Sequence, residues 1–207
     1  MAGTVSPTKQ KVVKSTGKLS GKTLSLKPPL DFSFKKLISE DDIVTKKPRK
    51  NRVGRLPDVG ANNKYVTASV WLSHNKIQTT RGAAAILNHI IAPSQLSWLD
   101  LSFNQLYDID EQILLLKNLK ILYLHGNNIQ NVSSISILKD LPELRTLTLH
   151  GNPIDSISQY RTHVIYMLPK LSNLDFSPVV GFERKGVLPP GFLDFAKFDK
   201  KKATTKA

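Results

Sequence analysis

Hydrophobic residues in the middle of the chain recur around asparagine in a pattern that repeats almost residue for residue. Each copy reads L-x-x-L-x-L-x-x-N-x-[LI]-x-x-[IV]. The three clear copies span residues 96–109, 119–132 and 144–157. A weaker copy covers residues 67–77, and a degenerate last copy after Leu171 has Val179 where asparagine is expected. Three consecutive copies with every apolar position filled are not a chance match, so the repeat decides the fold class.

Within each copy the spacing of the apolar residues changes. The alternation of Leu99 and Leu101 predicts a short strand with both side chains on one side. The asparagine that follows predicts a turn, because its amide can both donate to and accept from backbone groups that the turn leaves unpaired. Further along, Ile113, Leu116 and Leu119 are spaced as in an α-helix or a 3₁₀-helix, which would cover the other side of the core.

The asparagines of the four copies, Asn75, Asn104, Asn127 and Asn152, lie 29, 23 and 25 residues apart. This pattern at this period is typical of leucine-rich repeats. Each repeat can bury its leucines only against its neighbours, which predicts a curved solenoid. The predicted fold class is therefore α/β: a leucine-rich-repeat solenoid with short parallel strands on the concave face, helices or 3₁₀ turns on the convex face, and extended basic arms at both termini.

Two helices are predicted outside the regular repeats. The longer spacer after Asn75 has Thr79 as a candidate N-cap and then apolar residues on one helical side. Near the C-terminal end, four residues at helical spacing precede Pro169, which would end the helix. These four are Tyr160, Val164, Ile165 and Leu168. We interpret this second helix as the cap that covers the last repeat.

The net charge lies in the ends of the chain rather than in the repeats. The 207 residues carry 30 Lys plus Arg against 16 Asp plus Glu, a net charge of +14. Residues 1–64 hold 15 basic and 5 acidic residues, residues 65–180 hold 8 of each, and residues 181–207 hold 7 and 3. We therefore divide the chain into a basic, largely extended N-terminal arm (1–64), a repeat domain with its cap that should fold alone (65–180), and a basic tail (181–207). Neutral repeats disfavour a folded nucleic-acid-binding face.

Residue types that carry chemistry are sparse. Cysteine is absent, which excludes disulfides, thiolate zinc sites and cysteine nucleophiles and favours a reducing, intracellular compartment. The first residues contain no apolar core of a signal peptide, and the longest apolar stretch is far shorter than a membrane span. The segment GKLSGKT at residues 17–23 is one residue short of a phosphate-binding loop and follows no apolar strand. We interpret it as part of the basic arm.

Two histidines are the best candidate for a metal site. His125 and His150 occupy the same strand position in adjacent repeats, which places them roughly 5 Å apart, with Asp100 and Ser102 one repeat away. A third clear ligand is missing, so we favour the alternative that both imidazoles simply line an exposed face. A flat sheet also lacks the buried carboxylate and oxyanion pocket of a Ser–His–Asp triad. The sequence predicts no enzymatic activity, no metal and no cofactor.

Side chains that alternate with the strand leucines predict a contiguous concave surface. Exposed Trp, Tyr and Phe on one face are typical anchors for a protein partner. The alternative is that Trp98 or Phe103 packs against a flanking segment. The predicted partner-binding residues are Trp71, Trp98, Asp100, Ser102, Phe103, Tyr123, His125, Thr148, His150 and Asp175.

The N-terminal arm contains one apolar segment, PPLDFSF at residues 28–34. Its Leu30, Phe32 and Phe34 fall on alternate positions, so it is a docking segment that either covers the first repeat or adds a strand to a partner. A cationic stretch follows, which we predict to be disordered when free. Its basic residues are Lys46, Lys47, Arg49, Lys50, Arg52 and Arg55.

Several segments, in this order, resemble one small family. They are the PPLDFSF segment, Trp71-Leu72, LDLSFN at residues 99–104, LYLHGNNIQ at 122–130, LRTLTLHGNPI at 144–154 and the late DFS at 175–177. Together they are similar to the leucine-rich repeat-containing protein 51 family. The resemblance implies a cytoplasmic, non-enzymatic component of the cilium or flagellum. The cap segment also resembles that of the spliceosomal U2 A-prime protein and axonemal dynein light chain one.

Two functions from different classes follow. The first, which we favour, is a structural adaptor in a large axonemal assembly, with the solenoid on a protein partner and the basic arms along acidic tubulin or other filaments. The second is an RNA–protein assembly factor like the U2 A-prime protein, with the arms on phosphate. A phosphatase-regulating repeat protein is a weaker third option. The sequence indicates neither a membrane partner nor a homo-oligomer, and a nucleic-acid partner is disfavoured.

Overall fold

The repeats build one continuous sheet. The computed structural model describes residues 27–50, 54–60 and 62–185. The strands are β1 (Leu30–Asp31), β2 (Ser69–Trp71), β3 (Trp98–Asp100), β4 (Ile121–Tyr123), β5 (Thr146–Thr148), β6 (Asn173–Leu174) and β7 (Ser177–Pro178). In this part of the chain they form a seven-stranded sheet in sequence order. Strands β1 to β6 are parallel, and β7 returns antiparallel to β6.

Helical elements form the second layer, behind the sheet. The α-helices are α1 (Glu40–Thr45), α2 (Thr80–Ile90), α3 (Val132–Ile135) and α4 (Tyr160–Met167), and 3₁₀ turns cover Pro93–Gln95, Glu111–Leu115, Ser136–Asp140, Pro153–Ser156 and Glu183–Lys185. Both predicted helices are confirmed. Helix α2 begins after Thr79, whose hydroxyl accepts the Gly82 amide at 3.0 Å, and α4 ends before Pro169. The predicted solenoid fold is therefore confirmed.

The core lies between the two layers and is built from the leucines of the repeat. Residues at the central position of the strands are 0% exposed and face one another in register: Val70, Leu99, Leu122, Leu147 and Leu174. From the helical side, Ile113, Leu116 and Leu119 close the core as predicted, with at most 1% exposure. Ile135 and Leu138 do the same in the next repeat. Each repeat thus buries its apolar side chains against the next.

Buried asparagine side chains tie successive repeats together. Asn104 Nδ2 donates to Leu101 O in its own repeat at 3.0 Å and to Leu72 O in the preceding repeat at 2.9 Å. Its Oδ1 accepts the Ile77 amide at 3.1 Å. The asparagines of the next two repeats make the same bonds one repeat further along each time. The predicted dual role of the amide, donor and acceptor, is confirmed.

The fold starts earlier than residue 65, so the predicted boundary between arm and repeat domain is wrong. Strand β1 pairs with β2, and Leu30, Phe32 and Leu37 belong to the core with at most 1% exposure. Asn75 extends the asparagine bonds to this segment, since its Nδ2 donates to Phe32 O at 3.0 Å. Of the two alternatives for PPLDFSF, the structure supports a cover over the first repeat, because β1 pairs with β2 and the side chains of Leu30 and Phe32 are buried in the core.

The C-terminal cover also extends past the predicted boundary at residue 180. Arg161 of α4 donates to Glu183 at 2.6 Å and 3.2 Å, and to the carbonyls of Leu174 and Pro178 at 3.1 Å and 3.0 Å. The β6–β7 hairpin stands where the last repeat lacks its asparagine. Residues up to 185 therefore belong to the cap.

Leucines of the strand ladder should dominate stability. Leu122→Ala or Leu147→Ala removes a fully buried side chain and should lower the free energy of unfolding by about 2–5 kcal/mol. Leu115→Ala is the matched control, because Leu115 is 54% exposed and should cost little. Chemical denaturation measures all three, and equal losses would contradict the assigned register.

The N-terminal cover should be required for folding. A chain that lacks residues 1–64 loses β1 and exposes Val70 and Leu72, and it leaves the Asn75 amide without its Phe32 acceptor. We expect it to aggregate or to melt well below a chain that lacks only residues 1–24. Circular dichroism melts and sedimentation measure this difference. Identical melting temperatures would show that the first repeat is stable without its cover.

Candidate protein-binding face

The predicted concave surface exists as two rows of side chains across the sheet. The first row consists of strand residues that alternate with the core leucines and lie side by side in register: Asp31, Trp71, Asp100, Tyr123 and Thr148. Trp98 lies two residues before Asp100, and its indole contacts Trp71 and Tyr123 edge-on at 5.7 Å and 5.8 Å between ring centroids. Trp98 therefore packs within the face and not against a flanking segment.

The second row is an aromatic ladder that runs along the face, made of Phe34, His74, Phe103, His125, His150 and Phe176. Its rings touch in sequence, with Phe34–His74 and His74–Phe103 stacked at 4.2 Å and 4.5 Å. Phe103–His125 follows edge-on at 5.2 Å, and His125–His150 is stacked at 4.8 Å. Phe176 closes the ladder at 5.6 Å from His150. The sequence analysis missed His74 and Phe176 as members of this face.

An unusual backbone conformation creates the first half of the ladder. The residue before each asparagine is left-handed: φ is 55° at His74 and 51° at Phe103, and 66° and 70° at Gly126 and Gly151. Phe34, at the corresponding place in the segment that covers the first repeat, has φ 61°. Glycine is the usual residue there because it has no Cβ that would be strained. The glycines of the two HGN triplets therefore indicate, in the sequence, where the backbone is left-handed. Where a ring replaces glycine, the left-handed backbone turns it onto the concave face.

The Phe103 ring packs against Gly126, which follows it in the next repeat. A Cβ on Gly126 would lie 2.6 Å from Phe103 Cδ1, so the absence of a side chain at Gly126 gives room for the Phe103 ring. That ring is 47% exposed, although it is stacked on one side. The exposed ring therefore has a defined position before any partner arrives, which lowers the entropy lost on binding.

Two predicted partner-binding residues are not accessible. Thr148 is 0% exposed and Ser102 is 3% exposed. Their hydroxyls bond within the face instead: Thr148 Oγ1 lies 2.8 Å from His125 Nδ1, and Ser102 Oγ donates to Asp100 Oδ1 at 2.6 Å. They position neighbouring side chains and do not present themselves to a partner.

Acidic and imidazole groups share the C-terminal half of the face. Burial is the main cause that lowers the pKa of His125, and the charge of nearby His150 lowers it further. The Asp175 carboxylate connects this half of the face to helix α4. Its Oδ1 accepts the Leu149 amide at 2.6 Å, and its Oδ2 accepts the Tyr160 hydroxyl at 2.9 Å. Burial and this carboxylate raise the pKa of Tyr160.

Within the described residues, no group of three or more His, Cys, Asp or Glu side chains is arranged to hold a metal. His125 and His150 do lie as close as predicted, but His125 Nδ1 is engaged with Thr148. In the same part of the chain no helix has both the length and the apolar character needed to cross a bilayer.

The basic stretch after α1 is partly held by the fold, which differs from the prediction of disorder. Arg49 N donates to Asp31 O at 2.7 Å, beyond the free edge of β1. The Arg49 guanidinium lies 4.0 Å from Asp31 Oδ2 and 5.4 Å from the Phe34 ring centroid. Lys46, Lys47, Lys50 and Arg55 are exposed, and Arg52 lies outside the described residues. Arg49 therefore contacts the segment that covers the first repeat.

An open groove lies where the two rows meet. It has a volume of about 440 Å³ and is lined by Phe34, Ser73, His74, Asp100, Ser102, Phe103, Tyr123 and His125. Aromatic rings and one carboxylate thus share a single concavity, which is the composition of a recognition site for a protein side chain.

This chain is similar to a family model, to curated relatives and to a solved structure. A leucine-rich-repeat family model matches residues 45–188. Leucine-rich repeat-containing protein 51 of Mus musculus is 39% identical over 159 residues, and that of Homo sapiens is 39% identical over 162 residues; each alignment covers 76% of this chain and 81% of the relative. The U2A′ complex with SNF from Drosophila melanogaster contains a similar fold, with a TM-score of 0.57 at 23% identity and 86% coverage of both chains.

Substitution of Gly126 should reveal the contact with Phe103. Gly126→Ala adds a Cβ at a left-handed position and against the ring, whereas Gly54→Ala adds one at φ 77° with nothing within 4 Å. We expect the backbone cost alone, roughly 1–2 kcal/mol, at Gly54 and a larger loss of stability at Gly126. In a chain that already carries Phe103→Ala, the stability lost through Gly126→Ala should fall to that lost at Gly54. Urea denaturation measures it, and equal losses at both glycines would contradict the packing.

The neighbouring His150 should contribute to the lowered pKa of His125. His125 should protonate below its ordinary pKa of about 6.5, so its contribution to stability is complete above that pH and is lost as the pH falls below it. His150→Gln removes a nearby positive charge and should raise the pKa of His125. His89→Gln, on the exposed end of α2, is the control. NMR titration of the imidazole Cε1 protons measures the pKa of His125 in the unchanged chain and in both variants. An unchanged pKa of His125 in His150→Gln would contradict the stacked contact.

Proposed function

Because the chain belongs to the leucine-rich repeat-containing protein 51 family, we propose that it is a non-enzymatic adaptor that binds a protein partner on its concave face, as part of the axoneme of a cilium or flagellum. The aromatic ladder and its groove are the single observation that carries the binding face. Leucine-rich-repeat proteins use such faces to bind proteins, and a rigid sheet presents the anchors without loop motion.

Energetics favour the concave face over the rest of the surface. Aromatic anchors bury a large area at low entropic cost, and here the rings are already packed against one another. Phe103 and Phe176 are 47% and 60% exposed while their neighbours hold them. Two rows of contacts across parallel strands allow an elongated segment of a partner to touch several repeats at once.

The axonemal part of the proposal is supported by the resemblance of the quoted segments and by charge. The net charge of +14 favours acidic partners such as the tubulin surface. Lys46, Lys47 and Lys50 are exposed and lie after α1, next to the segment that covers the first repeat. The chain can therefore bind a protein on the sheet and contact a filament from its N-terminal end.

Fewer observations support the alternative of an RNA–protein assembly factor than support the axonemal adaptor. The similarity to the U2A′ chain is at 23% identity, which supports the fold and nothing about partners. The neutral charge of residues 65–180 also argues against RNA on the sheet, because phosphate contacts need Lys or Arg.

Site-specific photo-cross-linking tests the proposal. Phe103 and Tyr107 are 47% and 53% exposed, but Phe103 belongs to the ladder and Tyr107 lies beyond the asparagine turn. The chain with p-benzoylphenylalanine at either position is expressed in ciliated cells, irradiated and fractionated. We expect a discrete cross-linked partner at position 103 only, in the axonemal pellet.

Two results would contradict this proposal in different ways. Equal cross-linking at 103 and 107 would move the binding site off the concave face. Cross-linking at 103 in the nuclear fraction, with RNA-binding proteins, would keep the face but replace the axonemal adaptor by the RNA–protein alternative.

A further inference from the structure

The groove contains the second copy of a motif whose first copy is already occupied. Leu-Asp-x-Ser-Phe occurs at residues 30–34 and again at residues 99–103, on β1 and β3, where Asp31 and Asp100 both lie opposite Trp71. In each copy the Ser amide donates to Oδ1 of the Asp, at 2.8 Å and 2.9 Å. In each copy the Phe has a left-handed backbone. The two copies therefore share a carboxylate that accepts the Ser amide and an aromatic ring on a left-handed residue.

In the first copy these two groups receive an arginine. The Arg49 guanidinium lies 4.0 Å from Asp31 Oδ2 and 5.4 Å from the centre of the Phe34 ring. The Arg49 side chain is 34% exposed, and that of Asp31 is 0% exposed. Carboxylate attraction and a cation–π contact thus act on the same planar group.

In the second copy the corresponding groups face open space. Ser102 donates through both its amide and its hydroxyl to Asp100 Oδ1, and no hydrogen bond or ion pair to Asp100 Oδ2 is formed by the described residues. Among the described residues that line the groove there is no lysine or arginine. Trp71 and Tyr123 flank Asp100 on the two neighbouring strands, which adds further rings beside the carboxylate.

A third, partial copy of the motif shows that an Asp on this face does not always leave a carboxylate oxygen available. Asp175 is followed by Phe176 and Ser177, but both its carboxylate oxygens are used inside the fold. Oδ1 accepts the amides of Leu149 and His150, and Oδ2 accepts the Tyr160 hydroxyl. Of the described Asp31, Asp100 and Asp175, it is Asp100 that combines an available carboxylate oxygen, an exposed ring and an open groove.

We propose that the groove recognises an arginine side chain of the protein partner, with the guanidinium against Asp100 Oδ2 and beside the exposed part of the Phe103 ring, in the second copy of the motif whose first copy is occupied by Arg49. This inference rests on the proposed function and names the side chain that its partner presents. A planar guanidinium suits a site of carboxylate and ring better than the compact ammonium of lysine. An anionic side chain would instead be repelled by the negative charge of Asp100.

Binding of a minimal arginine peptide tests the inference without the natural partner. The probe is acetyl-Gly-Arg-Gly-amide, and the control is the same peptide with citrulline, which keeps the shape and removes the charge. The ¹⁵N-labelled full-length chain is titrated at low ionic strength, and the indole N–H signals of Trp71 and Trp98 are followed. We expect a saturable shift with the arginine peptide and none with the citrulline peptide.

Variants of single carboxylates assign the site. Asp100→Asn keeps the oxygen that accepts from Ser102, so the fold should be retained, and it should weaken arginine-peptide binding at least tenfold, or by about 1.4 kcal/mol. Asp140→Asn, at the exposed end of a 3₁₀ turn, is the matched control and should bind like the unchanged chain. Equal affinities for Asp100→Asn and Asp140→Asn, or equal affinities for the two peptides, would overturn the inference.

Two further results separate the remaining occupants. Arg52→Gln combined with Arg55→Gln should leave the affinity unchanged, and a tighter affinity would mean that the chain's own arginines fill the groove, which would overturn the assignment to a partner. If the cross-link at position 103 persists while arginine-peptide binding does not depend on Asp100, the inference fails and the proposed function stands. Absence of that cross-link counts against the proposed function instead.

Discussion

The structure depends on buried asparagine amides whose hydrogen bonds must be completed by the preceding repeat. Each side chain donates to carbonyls of its own and the preceding strand and accepts an amide beyond the preceding turn, as Asn127 does with Leu124, Leu101 and Leu106 at 2.8–3.0 Å. An unpaired amide in the core is costly. The spacing of strands, the direction of the turn and the register of the leucines all follow from meeting this requirement, since a slip by one residue would break every such bond at once.

This requirement also shapes the face that binds. For the asparagine to point inward, the residue before it takes a left-handed backbone, which is easy for Gly126 and Gly151 and costs His74 and Phe103 roughly 1–2 kcal/mol each. Strain at bulky residues persists only where the surroundings impose it. The asparagine bonds impose it here, and the result is a row of rings held in place on the concave side. The chemistry of the surface is thus a consequence of how the core is closed.

Both ends of the solenoid follow from the same bonds. At the N-terminal end Asn75 needs acceptors and donors from a preceding segment, and Phe32 and Leu37 supply them, so the docking segment is part of the fold. At the C-terminal end Asp175 accepts amides of the preceding repeat but cannot donate as an asparagine does. The hairpin and α4 therefore end the array, and Arg161 holds the hairpin to the cap.

From the sequence alone, the period and the apolar positions determined the repeat, its short parallel strands, the core leucines, helices α2 and α4 and the proximity of His125 to His150. Each of these depends on local spacing that is repeated along the chain. Only the tertiary structure decided what covers the first repeat, that Thr148 and Ser102 are buried, and that His74 and Phe176 join the ladder. These depend on contacts across repeats and on backbone angles. Arg49 is the clearest case: its charge was visible in a basic run, but its place on Asp31 and Phe34 follows from how residues 46–50 return to the edge of β1.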